Sequence, residues 1–215
     1  MTRTITRLFD DYDDARDAVS ELERMGIPHS DLSILANNAH GRHPLSGRGP
    51  SAHDHDDHDH DHGEIGAGAG TGAAIGGVGG LLAGLGLLAI PGLGPIVAAG
   101  WLASTAVGAA IGGGVGAAAG GLVDALKNSG HSDDEANVYS EGVRRGGTLV
   151  SARVSDDRAA EVESVLEDNG GVDADTRGTA YRDSGWTSFD RDAEPYTAEQ
   201  VDRERDLYRR EPTNV

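Results

Sequence analysis

Apolar positions along the chain fall into two similar units separated by a long uncharged stretch. Residues 4–9 read as a strand. After Asp10 and Asp11, Ala15, Ala18, Val19, Leu22 and Met25 recur at helical spacing until Gly26 supplies a stop. Ile27 and Pro28 turn the chain, and residues 32–36 read as a second strand. The order recurs past residue 147. Residues 148–154 alternate as a strand, Asp156 and Asp157 open a helix carrying Ala159, Val162, Val165 and Leu166, and Asn169-Gly170-Gly171 stops it before a weaker strand at 172–176. At residue level "DDARDAV" at 13–19 lies over "DDRAAEV" at 156–162. Two strand-helix-strand halves predict an α+β fold: a split ferredoxin-like βαβ + αβαβ domain, with a four-stranded sheet and both helices on one face. An additional helix is announced by Ser132 and Glu135 in capping-box spacing, with Ala136, Tyr139 and Val143 on one face and Gly146-Gly147 at its end. It is expected to cover the sheet or its edge.

The uncharged stretch changes the picture most. Residues 65–123 contain no Asp, Glu, Lys, Arg or His, and about 20 apolar residues span a bilayer, so the segment is long enough to cross twice. Pro91-Gly92-Leu93-Gly94-Pro95 divides it. Small residues recur every four positions: Gly68, Gly72, Gly76, Gly80 and Gly84 in the first arm, and Gly100, Ser104, Gly108, Gly112, Gly116 and Gly120 in the second. On a helix such a stripe lets two backbones approach closely, which predicts a glycine-zipper helical hairpin. Each interior glycine costs a helix in water roughly 0.8–1 kcal/mol relative to alanine, so the surroundings must hold the segment. Lipid does so by making unpaired backbone groups prohibitive. The apolar runs 81–90 and 96–102 flank the turn, with Trp101 at an interfacial position. The expectation is therefore a pair of transmembrane helices inserted tip first into the cell membrane, with the folded domain and both termini on the cytoplasmic side. A re-entrant hairpin, burial in a soluble cytoplasmic oligomer, and disorder are the alternatives. Membrane lipid and further copies of the chain are the expected partners.

These readings divide the chain into the first half of the α+β domain (1–38), a linker (39–64), the hairpin (65–126), the second half (127–178) and a mostly disordered acidic tail (179–215). In the tail Thr197 and Gln200 match a capping box and Tyr196 and Val201 occupy staple positions. The face of that short helix is narrow, suited to docking on a partner or to fraying rather than to building a core.

Composition narrows the function classes. Lys+Arg total 18 against 36 Asp+Glu, and the resulting net charge of -18 repels phosphate backbones, which argues against a nucleic-acid partner. The absence of cysteine excludes disulfide and thiolate chemistry. The first ten residues lack the apolar run of a signal peptide, so a cytoplasmic N-terminus is expected. "HDHDDHDHDH" supplies His53, His55, His58, His60 and His62 among five aspartates, ligands suited to weakly bound Zn, Ni or Cu. It has no evident scaffold, and a solvated spacer is the plainer reading. Gly68, Gly70 and Ala73 fit a dinucleotide fingerprint but lack its preceding strand and following acid. Asp10, Asp11, Asp13 and Asp14 suit a helix start, and Arg144 and Arg145 a helix end, without any catalytic role. No catalytic residue and no cofactor is expected.

"RLFDDYDDARDAVSELERMGI", "DLSILA", "LLAIPGLGPIVAAG" and "DEANVYSEGVRRGGTLVSARV" together resemble bacterial general stress proteins with the 17M-like (YflT-type) domain, in the form interrupted by a glycine-rich hairpin. The resemblance covers residues 4–178 and leaves out the histidine run and the tail. It implies an association with general stress, without a known reaction, cofactor or catalytic residue. The combined expectation is a non-enzymatic stress-associated protein, anchored or self-assembled through the hairpin, with a metal buffer or sensor and a soluble oligomeric stress protein as alternatives.

Overall fold

A computed structural model describes residues 1–39, 41, 86–90, 92–105 and 121–209. The first unit forms as its pattern predicts, with strand β1 (Thr2–Phe9), helix α1 (Tyr12–Arg24) and strand β2 (Leu32–Asn37). The Asp11 carboxylate caps α1 by accepting the Asp13 N–H at 2.9 Å, and Gly26 leaves the helix with a φ of +86°. Next come β3 (Gly86–Ile90), β4 (Gly94–Gly100), a helical stretch at 101–105, α2 (Gly121–Asn128), α3 (Asp133–Arg144), β5 (Thr148–Ser155) and α4 (Ala159–Asp168). The described residues close with α5 (Ala174–Asp183) and α6 (Ala198–Arg209). Ser132 and Glu135 form the predicted reciprocal capping box of α3.

The strands build one antiparallel sheet in the order β1-β5-β2-β4-β3. Side chains alternate across it and both faces are covered. Ile5, Ile34, Val150 and Ala152 pack under α1 and α4 through Val19, Leu22, Val162 and Leu166. Leu8, Leu35, Leu149 and Ile96 pack under α2, α3 and α5 through Leu126, Val143 and Tyr181. Burial on both faces explains why β2 is buried along its whole length, where a one-faced sheet would alternate.

The expected membrane hairpin is corrected here. Residues 86–90 and 94–100 are strands, not helices, and no helix among the described residues is long and apolar enough to cross a membrane. The break at Gly92 and Gly94 is real, with φ of +75° and +83°, but it turns a β-hairpin in which Ile90 pairs with Gly94. The reason is tertiary: β4 adds to the free edge of β2 from Ser33 opposite Gly100 to Asn37 opposite Ile96, and β-branched Ile96 and Val97 each fill one face of the sheet. Gly100 is a point of close backbone approach between strands, where a β-carbon would overlap the Leu32 carbonyl. Ser104 is exposed, its hydroxyl donating to the Trp101 carbonyl at 2.8 Å. Neither sits in a helix–helix seam. Gly68, Gly72, Gly76, Gly80, Gly84, Gly108, Gly112, Gly116 and Gly120 lie outside the described residues.

Two further expectations change. The strand at 172–176 shrinks to one bridge between Val172 and Leu8, because the Asp173 carboxylate accepts the Thr176 N–H at 2.7 Å and starts α5 at once. The tail packs on the core as far as it is described. Val201 of α6 is fully buried in the notch left by Gly146, Glu204 pairs with Arg145 at 3.0 Å, and Tyr208 lies edge-on to Tyr181 and beneath the Arg177 guanidinium.

Candidate interaction groove

Because the strand expected at 172–176 ends at the single Val172 bridge, the outer side of β1 is left open. Leu8 exchanges both backbone hydrogen bonds with Val172, at 2.9 and 2.8 Å, so the N–H and C=O of Leu8 point away from β5. Backbone direction alternates along a strand, so Thr6, Thr4 and Thr2 point outward too, while Arg3, Ile5 and Arg7 pair with β5. The Thr6 carbonyl accepts from the Tyr139 hydroxyl at 2.8 Å and from the Arg7 guanidinium at 3.0 Å. Among the described residues nothing pairs with the Thr6 N–H or with the N–H and C=O of Thr4 and Thr2. A cavity of about 360 Å³ runs beside this edge, bounded by the turn at 129–131 on one face of the sheet and by Glu163 of α4 on the other.

The turn between α2 and α3 places His131 over Thr6. The ring Nε2 lies 2.8 Å from the Thr6 hydroxyl, which lies 2.9 Å from the Ser151 hydroxyl, and the ring meets Tyr139 edge-on at 5.7 Å. Burial lowers the His131 pKa against the pull of Glu135, which favours the neutral ring. Burial also raises the Tyr139 pKa, keeping its phenol a donor. At Glu135 burial acts upward, but hydrogen bonds from the Ser132 N–H and hydroxyl outweigh it and the pKa is lowered.

The run of carboxylate, imidazole and hydroxyl invites a comparison with nucleophilic catalysis. However, Glu135 is 3.9 Å from His131 Nδ1, and Thr6 is 1% exposed with its hydroxyl already held by Ser151. That hydroxyl has no room for a substrate. The network fixes one wall of a groove whose other wall carries Arg3, 4.0 Å from Glu163. What the groove offers is a row of outward backbone donors and acceptors with polar side chains on both sides.

A second polar cluster fastens α6. Fully buried Glu141 accepts from Arg144 and Arg145 at 2.8 and 2.7 Å, and Arg177, 4% exposed, pairs with Asp10 at 2.7 Å. These cations are shared among carboxylates and the faces of Tyr181, Tyr196 and Tyr208.

His53, His55, His58, His60 and His62 lie outside the described residues, and no group of three or more metal-type ligands occurs among the described ones. Sequence reasoning missed the groove because it filled the edge with a strand. The signal against that strand was Asp173 three positions before Thr176, followed by Ala174, Arg177, Gly178 and Tyr181 at helical spacing. Comparison of the chain with family models, curated proteins and solved structures finds no match.

Proposed function

We propose that this chain is a non-enzymatic, stress-associated cytoplasmic protein that binds another polypeptide through the groove along β1. The observation that carries the reading is the outward backbone groups of Thr2 and Thr4, unpaired among the described residues and set beside a cavity rather than on a flat edge. The stress setting comes from the resemblance of residues 4–178 to general stress proteins. A split ferredoxin-like core belongs to the same proposal. The spatial series Val172, β1, β5, β2 has the order 4-1-3-2 of two interlocked βαβ halves, with β4 and β3 added beyond β2.

The test is site-specific photo-cross-linking in heat-stressed and unstressed cells. A photoreactive residue at Thr2 is expected to give discrete protein adducts that increase with stress. One at Asp17, exposed on α1, is expected to give none. Equal labelling at the two positions would refute the groove as the binding surface.

A further inference from the structure

We propose that the groove is a strand acceptor. An extended segment of another protein lies antiparallel to β1 and continues the ladder that Leu8 and Val172 begin. This rests on the reading that the groove binds protein and adds the chemistry by which it does so.

The register is set by the existing bridge. Leu8 and Val172 form a pair that exchanges both backbone hydrogen bonds, so the next such pairs on that side fall at Thr6, Thr4 and Thr2. The segment after Val172 does not supply them, since Asp173 turns it into α5, and no other described residue does. An incoming strand completes the outward groups at Thr4 and Thr2, while Thr6, 1% exposed, stays closed with its carbonyl held by Tyr139 and Arg7. Affinity then comes from the main chain, as in other cases of strand addition.

The walls specify the occupant further. Residues directly opposite in an antiparallel pair send their side chains to the same face. A residue opposite Thr4 therefore points with Thr4 and Thr6 into the cavity beside Ser129, His131 and Tyr139, where a short hydroxyl or amide side chain finds partners. Residues on either side of it face Arg3 and Glu163. The slot is bounded on both faces of the sheet. A free extended segment fits it, whereas the edge of a second folded copy would bring its own 129–131 turn and α4 against those of the first.

A capped peptide TLVSARVS, the β5 sequence that already pairs antiparallel with β1 inside the fold, is a direct probe. Added to the full chain, it is expected to bind saturably and to slow amide exchange at Thr4 at least tenfold. Two changes should remove this. Thr4→Pro deletes an N–H that points away from β5, a position where an edge strand tolerates proline, and should weaken binding at least tenfold with an unchanged circular dichroism spectrum. N-methylation of alternate peptide amides removes backbone donors and keeps every side chain, so it tests pairing even if Thr4→Pro fails to fold.

Equal binding of the plain and methylated peptides would overturn strand addition. So would a lack of peptide binding while cross-links at Thr2 persist in cells; both results leave the groove as a protein site. Loss of the cross-links as well would remove the underlying reading. Protection at Thr4 that appears without peptide as the protein concentration rises, with a doubled mass, would make a second copy the occupant and overturn the proposal.

Discussion

At Gly100 the φ is +89°, and an added β-carbon would overlap the Leu32 carbonyl and stand 2.7 Å from the Ser33 Cα. Gly26 has a similar φ of +86° with nothing within 4 Å of that position. The pair separates conformation from contact. Gly26→Ala is expected to cost about 1–2 kcal/mol, the left-handed penalty alone. Gly100→Ala must also push β4 away from β2, for a loss of roughly 3 kcal/mol or more. Urea unfolding followed by circular dichroism measures both, and equal losses would show that the close approach is not tight. His131 gives a pH-dependent counterpart. Its folded pKa is lowered, so the unfolded chain takes up a proton that the folded one resists. Its contribution is complete above about pH 6.5 and declines as pH falls from there through the lowered folded value. Glu135 on α3 and Glu163 on α4 line the same cavity as Arg3 and Arg7 of β1. Glu135, with its own pKa lowered, weakens the fold only in the more acidic range below 4.5. In His131→Gln the urea midpoint should lose the decline that sets in below about pH 6.5 and keep the more acidic one below 4.5.

Among the elements, α6 shows how little apolar surface a helix needs when its receptor is built for it. Its cap was legible: the Thr197 N–H donates to the Gln200 side chain at 2.8 Å, as the four-residue spacing predicts. Its docking was not legible, because the receptor is a concavity at Gly146, where a β-carbon would overlap Val201. A single buried valine, the Arg145 pair with Glu204, and Arg205 donating to the Gly146 carbonyl at 2.7 Å replace the broad stripe that pattern reading looks for. Val201→Asp is expected to release α6 at a cost of roughly 2 kcal/mol, about the value of a buried valine. Hydrogen exchange would then speed up across 198–209 while the β1 and β5 amides stay protected. Protection retained across α6 would assign its docking to the ionic contacts instead.

For the molecule as a whole, periodicity sufficed for β1, α1, β2, α3, β5 and α4, because each carries its own run of buried apolar positions, and α1 and α3 carry their own caps as well. It failed where a partner far along the chain decides the state. The glycine- and alanine-rich run at 86–100 becomes sheet because β2 offers an edge, with the Ser33 hydroxyl donating to the Ala99 carbonyl at 2.9 Å, and nothing local distinguishes that from a helical pair. The groove arose from the same kind of decision at Asp173. The end of the domain is likewise set by packing: α5 runs across position 178, and Tyr181 beyond it is 1% exposed, with the Arg145 guanidinium 4.3 Å from its ring. A chain ending at 178 loses this tyrosine, a deletion comparable to truncating a buried aromatic at about 3–5 kcal/mol, together with the cover from Trp186 and Val201. Domains are stable by only about 5–15 kcal/mol, so a chain of residues 1–178 should lack a cooperative thermal transition and bind a hydrophobic dye. A chain of residues 1–183 keeps Tyr181 in place and should melt cooperatively at a lower temperature than the full chain. Indistinguishable melting of the two truncations would place the edge of the folding unit before α5 and reduce Tyr181 to a surface attachment.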